Sequence, residues 1–178
     1  MRDKIEDLKK QEEVRMIIRI AEERDVPYLL DIYNYEVLHG TSTFDLNPRT
    51  LAERMDWFYG HNVGNHPMIV AEEDGRAVGY ACLSAYRIKE AYAATVELSV
   101  YVDREYRKRG IARKLMIQIL DLARQDERIH TVISVITGGN MASIHLHEEM
   151  GFLHCGTIHE VGVKFGERLD IENYQMMV

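Results

Sequence analysis

A chain of 178 residues, 46% of them hydrophobic, is long enough to bury one substantial core. Its net charge of −7 argues against a general nucleic-acid binder, whose affinity rests on neutralising phosphates, and against docking on anionic lipid. The two cysteines, Cys82 and Cys155, form no CxxC pair, so neither a zinc site nor a disulfide framework is expected. No apolar run approaches the roughly 18 residues that span a bilayer, and no signal-peptide pattern is present. The expected location is the cytoplasm, with no membrane or nucleic-acid partner.

Ten of the first fifteen residues are charged, five of each sign. This segment, 1–15, reads as a solvated helix or tail ahead of a single domain, 16–178. The domain opens with a strand over 16–21. A helix follows, with Asp25 as N-cap and Pro27 in the first turn, and with Val26, Leu29, Leu30, Tyr33 and Val37 at helical spacing. The stretch GTSTFDLNPRT reads as a loop, and a second helix is predicted from 48 to 59. Asp74-Gly75, between two alternating runs, predicts a hairpin with a tight type I′ turn. In TVELSVYVD, Val96, Leu98, Val100 and Val102 share one face of a strand, and Glu97, Ser99 and Tyr101 the other. Ile111, Leu115, Ile119 and Leu122 then form one face of a helix. TVISVI is apolar on both sides, as in a central strand. Another helix runs from 140 to 150 and closes on Gly151, and two strands, 153–160 and 168–177, finish the chain.

The densest charge falls at the turn between the 95–103 strand and the 111 helix, where Arg104, Arg107, Lys108, Arg109, Arg113 and Lys114 surround Gly110. The first N–H groups of a helix lack internal partners and carry the positive end of the dipole, so a phosphate or pyrophosphate can accept from them. Gly110 and Ala112 leave the main chain approachable, and the cations add charge around it. The plain structural alternative is a glycine that eases the turn among solvated bases. There is no GxxxxGK[ST] and no early GxGxxG, which sets aside the Walker loop and the Rossmann fingerprint.

Arg107-Lys108-Arg109-Gly110-Ile111-Ala112 resembles the [QR]xxGx[GA] pyrophosphate loop of the GNAT superfamily of acetyl-CoA-dependent N-acetyltransferases. IYNYEVLHGTSTFDLNPRT, YRIKEAYAATVELSVYV, NMASIHLHEEMGF and GVKFGERLD are similar to segments of its phosphinothricin and methionine-sulfoximine N-acetyltransferase group, in the same order. The likeness covers about 18–176. It implies an α/β (α+β) fold in which helices flank a mixed, mostly antiparallel central sheet. It also implies acetyl-CoA as co-substrate, a small-molecule amine acceptor, no metal, and a homodimer.

The resemblance gives Glu97 the role of general base. An ordinary glutamate, with a pKa of about 4.3, is a weak base for an amine, so burial or a positioned water must help it. The structural alternative is an ion pair with Arg87 or Lys89. His147 stands where many members carry a tyrosine that protonates the departing thiolate, and a neutral imidazole can still donate. Its alternative is a histidine packed on the helix face. His145 and His147 are two residues apart on a helix and face different ways, so no metal site is expected there. Arg107, Lys108, Arg109, Gly110, Ile111, Ala112 and Arg113 are expected around the pyrophosphate. The strand backbone from Leu98 through Val100 to Val102 is expected along the pantetheine arm, with Asn140 and Ser143 beside it. The resemblance assigns Phe44, Arg87, Lys89, Tyr92 and Glu97 to the acceptor. Arg87 and Lys89 share the face of Glu97 if the chain stays extended between them. One departure concerns acceptor shape: the tryptophan of the family's late KxGxWxD stretch is replaced by Arg168.

Other readings are an acetyltransferase for polyamines, antibiotics or protein N-termini, and a non-catalytic acetyl-CoA sensor. The sensor would keep the loop and lose the base and acid, yet Glu97 and His147 are both present. A basic-helix nucleic-acid module is disfavoured by the net charge and by the lack of stacking aromatics beside the cluster.

Overall fold

The computed structural model describes residues 16–178, so the segment 1–15 lies outside the described residues. Seven strands form one sheet in the order β1-β2-β3-β4-β5-β7-β6. They are β1 (Ile17–Ile20), β2 (Met68–Glu73), β3 (Arg76–Ala85), β4 (Thr95–Val102), β5 (Thr131–Thr137), β6 (Leu153–Lys164) and β7 (Glu167–Met177). Every neighbouring pair is antiparallel except β4–β5, which is parallel. A parallel pair needs a crossover, and the helix between these two strands supplies it.

Four helices flank the sheet: α1 (Val26–His39), α2 (Leu51–Tyr59), α3 (Ile111–Gln125) and α4 (Met141–Met150). Two clusters show how the faces are covered. On one face, α3 and α4 press Leu115, Met116, Ile119, Leu120 and Ile144 onto Val96, Leu98, Val132 and Ile136. On the other, Leu29 and Ile32 of α1 pack with Met68, Val70, Tyr80 and Cys82, and Trp57 and Phe58 of α2 lie against them. The alternation expected of β4 therefore holds. Leu122 sits at the margin of the core rather than in it, because Met116, Leu120 and Ala123 widen the buried face of α3.

Three local expectations need correction. Asp25 has helical backbone angles and makes no side-chain cap to α1. Its carboxylate instead accepts from the backbone N–H of Glu22 at 2.8 Å and pairs with Arg19 at 2.7 Å, which ends β1 in a 3₁₀ turn. The second helix starts at Leu51 rather than at 48. Thr50 caps it: its hydroxyl accepts from the backbone N–H of Glu53, whose carboxylate accepts from the backbone N–H of Thr50 at 2.7 Å. Such a reciprocal box is a specific start signal, and Thr50→Ala is expected to lower stability by about 1 kcal/mol, read as a fall in the urea midpoint at constant slope. Finally, β6 runs on to Lys164, because register shifts near Gly156 and between Ile158 and Gly162 absorb the irregular sequence without breaking the ladder.

Candidate active site

The site begins where β4 and β5 part. The β3–β4 ladder runs from Gly79↔Val102 to Ala85↔Val96, but β4 meets β5 only through Thr95↔Thr131, Val96↔Val132 and Glu97↔Ile133. Past Glu97 the two parallel strands separate around a cavity of about 1180 Å³. The backbone of Leu98 to Val102 lines one wall and that of Ser134 to Thr137 faces it, with α3 and α4 closing one end.

That end is built on Gly110. It adopts φ 74°, in the left-handed region, and precedes α3 without a side-chain cap. A Cβ placed on it would meet nothing within 4 Å, so the approach is open. The first helical bond is from the N–H of Lys114 to the Gly110 carbonyl at 3.1 Å. The N–H groups of Ile111, Ala112 and Arg113 are consequently the unpaired first turn of α3, all at the cavity. The cations divide in a way that charge counting missed. Arg107 lines the cavity and is ion-paired with the buried Glu36. Lys108 (φ 61°) and Arg113 also line it. Arg109 turns away: it pairs with Glu73 at 3.2 Å and lies over the Tyr106 ring at 4.8 Å, outside the cavity. The side chain of Arg109, expected at the cofactor, is thus engaged by Glu73 and Tyr106.

Glu97 sits at the vertex. It pairs with Ser84 across β3–β4 and shares its face with Cys82, Ser84 and Ser99. The carboxylate is half-buried, and burial alone pushes its pKa above the ordinary glutamate value. Among the described residues it forms no ion pair, so the alternative of a pair with Arg87 or Lys89 does not hold.

On α4, Asn140 caps the helix by accepting from the backbone N–H of Ser143 at 3.3 Å. His147 is 5% exposed, packed edge-on against Phe152. Its Nδ1 lies 2.7 Å from the Ser143 carbonyl, an acceptor only, so Nδ1 carries the hydrogen. Nε2 then carries the ring's lone pair, and among the described residues both it and the Ser134 hydroxyl on β5 are buried without a hydrogen-bond partner. Burial also lowers the His147 pKa, which favours the neutral ring. In that neutral tautomer the ring's one N–H is committed to Ser143, which weighs against the expected role of proton donor. His147→Gln is accordingly expected to lower kcat by much less than the roughly 10²–10⁴-fold of a lost general acid, as measured by steady-state turnover. His145, two residues away, is exposed, and among the described residues no cluster of His, Cys, Asp and Glu is placed to hold a metal ion.

At the opposite end, Phe44 lies against Gly162 of β6, where any side chain would overlap its ring. The loop carrying Phe44 is tied down by Lys164 Nζ donating to the Thr43 carbonyl at 2.7 Å and by Tyr101 Oη donating to the Ser42 carbonyl at 3.2 Å. Arg87, Lys89 and Tyr92 are not in the cavity. They occupy the connection between β3 and β4, where Arg87 is exposed and stacks at 5.0 Å on Tyr86 and 5.7 Å on Tyr92. The shared-face argument required extended chain from 87 to 97, and the 3₁₀ turn Glu90–Tyr92 breaks it. Arg168 is likewise outside, paired with Glu160 at 2.7 Å on the surface of the β6–β7 hairpin. Sequence reasoning missed Tyr33, Arg54, Trp57, Tyr80 and Ser84, all of which line this end. One signal was available: Arg54 and Trp57 are three apart on a helix and so share a face.

Residues 29–152 match the model of the acetyltransferase (GNAT) family. The L-methionine sulfoximine/L-methionine sulfone acetyltransferase of Salmonella typhimurium is 34% identical over 163 residues, covering 92% of this chain and 95% of that protein. The phosphinothricin N-acetyltransferase of Streptomyces coelicolor is 40% identical over 162 residues, covering 89% and 94%. Among solved structures, the GNAT-superfamily phosphinothricin acetyltransferase of Sinorhizobium meliloti in complex with acetyl-CoA superposes with a TM-score of 0.84. It is 32% identical and covers 92% of this chain and 88% of that one.

Proposed function

The chain belongs to the acetyltransferase (GNAT) family and is an acetyl-CoA-dependent N-acetyltransferase, and from that premise we propose that its acceptor is the amine of a small amino acid of the methionine sulfone, methionine sulfoximine or phosphinothricin kind. The observation that carries the reading is Glu97. It is a carboxylate without an ion-pair partner among the described residues, its pKa raised by burial, at the vertex between the helix end that suits an anion and the side chains of an acceptor pocket.

Acetyl-CoA supplies the activated acetyl thioester. The N–H groups of Ile111, Ala112 and Arg113 donate to its pyrophosphate, with Lys108, Arg107 and Arg113 adding positive potential. The β4 backbone between Leu98 and Val102 has no β5 partner and donates toward the pantetheine amides and the thioester oxygen, where negative charge develops. Asn140 and Ser143 stand beside the arm. Glu97 takes a proton from the acceptor ammonium, directly or through water. The freed nitrogen forms the C–N bond as the C–S bond breaks and the thiolate leaves, and the nitrogen gives up its second proton to the thiolate or to water, leaving the neutral amide. A thiol of ordinary pKa, about 8.5 for cysteine, leaves near neutral pH without a dedicated strong acid. That is consistent with a His147 that accepts rather than donates. Phe44 shapes the acceptor end.

The expected assembly is a homodimer. In its support, the edge strand β6 exposes Leu153, Ile158, Val161 and Val163, and an open apolar edge favours pairing. Sedimentation equilibrium should give twice the chain mass. No helix among the described residues is long and apolar enough to cross a membrane.

The acceptor assignment is tested by acetyl-CoA consumption with methionine sulfone, methionine sulfoximine, phosphinothricin, spermidine and a peptide with a free N-terminus. The expected order of kcat/KM puts the amino acids first. A peptide or spermidine at the head of that order contradicts the assignment and leaves the family intact.

A further inference from the structure

Resting on that acceptor reading, we propose that Arg54 is the residue that binds the acceptor's carboxylate, holding the amino acid with its amine toward Glu97. Arg54 lies on α2 and is only 4% exposed. Its guanidinium stacks on Trp57 at 3.4 Å and has Tyr33 at 4.7 Å and Tyr80 at 5.3 Å. These rings accommodate the faces of the cation. Its edge is barely used: Nη2 donates to Tyr80 Oη at 2.6 Å, and among the described residues Nε is buried without a partner.

A guanidinium stays charged under all ordinary conditions, and a buried charge without a counter-ion is costly. Among the described residues Arg54 has no carboxylate partner. The acidic groups that line this end of the cavity are already engaged. Asp45 holds Arg49 at 2.8 Å and accepts from Tyr33 Oη at 2.7 Å, Glu53 caps α2, and Glu36 holds Arg107. Among the described residues Glu97 forms no ion pair, with Arg54 or any other cation. Cys82, on the same sheet face as Glu97, has its thiol pushed up to about 12 by burial, with both Arg54 and Glu97 close enough to act on it. The acceptor end of the cavity thus presents a buried cation, Arg54, and a half-buried base, Glu97. An α-amino acid brings the two matching groups, a carboxylate and an ammonium. A planar fork suits a carboxylate better than a point charge does. This also accounts for the exposed Arg87 and Lys89, since the carboxylate is recognised without them.

Trp57 is the chain's single tryptophan and lies against Arg54, so it reports directly on this site. In the wild type, L-methionine sulfone is expected to change Trp57 fluorescence saturably, and its carboxamide to leave it unchanged at the same concentration. Arg54→Met is expected to raise the KM for methionine sulfone by roughly 10- to 150-fold, the range for a lost hydrogen bond to a charged group. It should leave the KM for acetyl-CoA unchanged and abolish the preference for acid over amide. Arg54→Lys, which keeps the charge, should fall between. A folded Arg54→Met that still prefers the acid overturns the proposal. So does wild-type turnover of methionine sulfone with no fluorescence change, a result that holds even if the variant fails to fold. A wild type that acetylates amides and acids alike defeats the amino-acid reading itself, and the assignment of Arg54 with it.

Discussion

Glu97→Gln is expected to lower kcat by about 10²–10⁴-fold at neutral pH, the usual contribution of a positioned general base. The amide keeps the side chain's size and its place on β4 opposite Ser84, so the register through Val96 and Leu98 should survive and acetyl-CoA should bind as before. The pH dependence follows from the sign of the shift. A base works deprotonated, and burial raises the Glu97 pKa above 4.5. The acid limb of kcat against pH in the wild type should therefore lie above 4.5, with activity rising as the carboxylate ionises. In Glu97→Gln that limb should vanish, and the deficit should shrink at high pH as free amine becomes abundant. Equal turnover in the two proteins at neutral pH would remove Glu97 from the chemistry.

Gly110→Glu is the second large effect. A Cβ here meets nothing, so crowding in the free protein is not the cause. A side chain at φ 74° is strained by roughly 1–2 kcal/mol, and the new carboxylate competes for the N–H groups of Ile111, Ala112 and Arg113. Loss of one or more charge-assisted bonds should weaken acetyl-CoA by about 10–150-fold, seen as loss of the thermal stabilisation that a bound ligand gives. Gly110→Asn separates the contributions, because asparagine tolerates the left-handed region and brings no charge. It should keep most of the affinity. Equal affinity in Gly110→Glu and wild type would refute the anion site at this helix end.

Much of the scaffold could be read from the chain because its signals are local. The Asp74-Gly75 turn, the alternation of β4, the face of α3 and the Asn140 and Gly151 ends of α4 all depend on neighbours within a few residues. Glu97 and Gly110 were legible for the same reason, each sitting within or next to a strongly patterned element. What failed depended on distance or direction. Arg109 is drawn off the cleft by Glu73, 36 residues earlier, and Arg87 is carried off by a 3₁₀ turn that no periodicity announces. The hydrogen bond of His147 to the carbonyl four residues back, which bears on its expected acid role, could not be read from residue type alone. The acceptor end was least visible, because Tyr33, Arg54, Tyr80 and Ser84 come from two helices and a strand and meet only in the folded chain.

The most direct measurement of acetyl transfer to an amino-acid amine is a mass-resolved turnover of acetyl-CoA and L-methionine sulfone by the wild type. The account predicts one N-acetyl-methionine sulfone for each CoA released, with both products falling together in Glu97→Gln. Release of CoA without the N-acetyl product, or no release with any amino acid that carries a free amine, would contradict it.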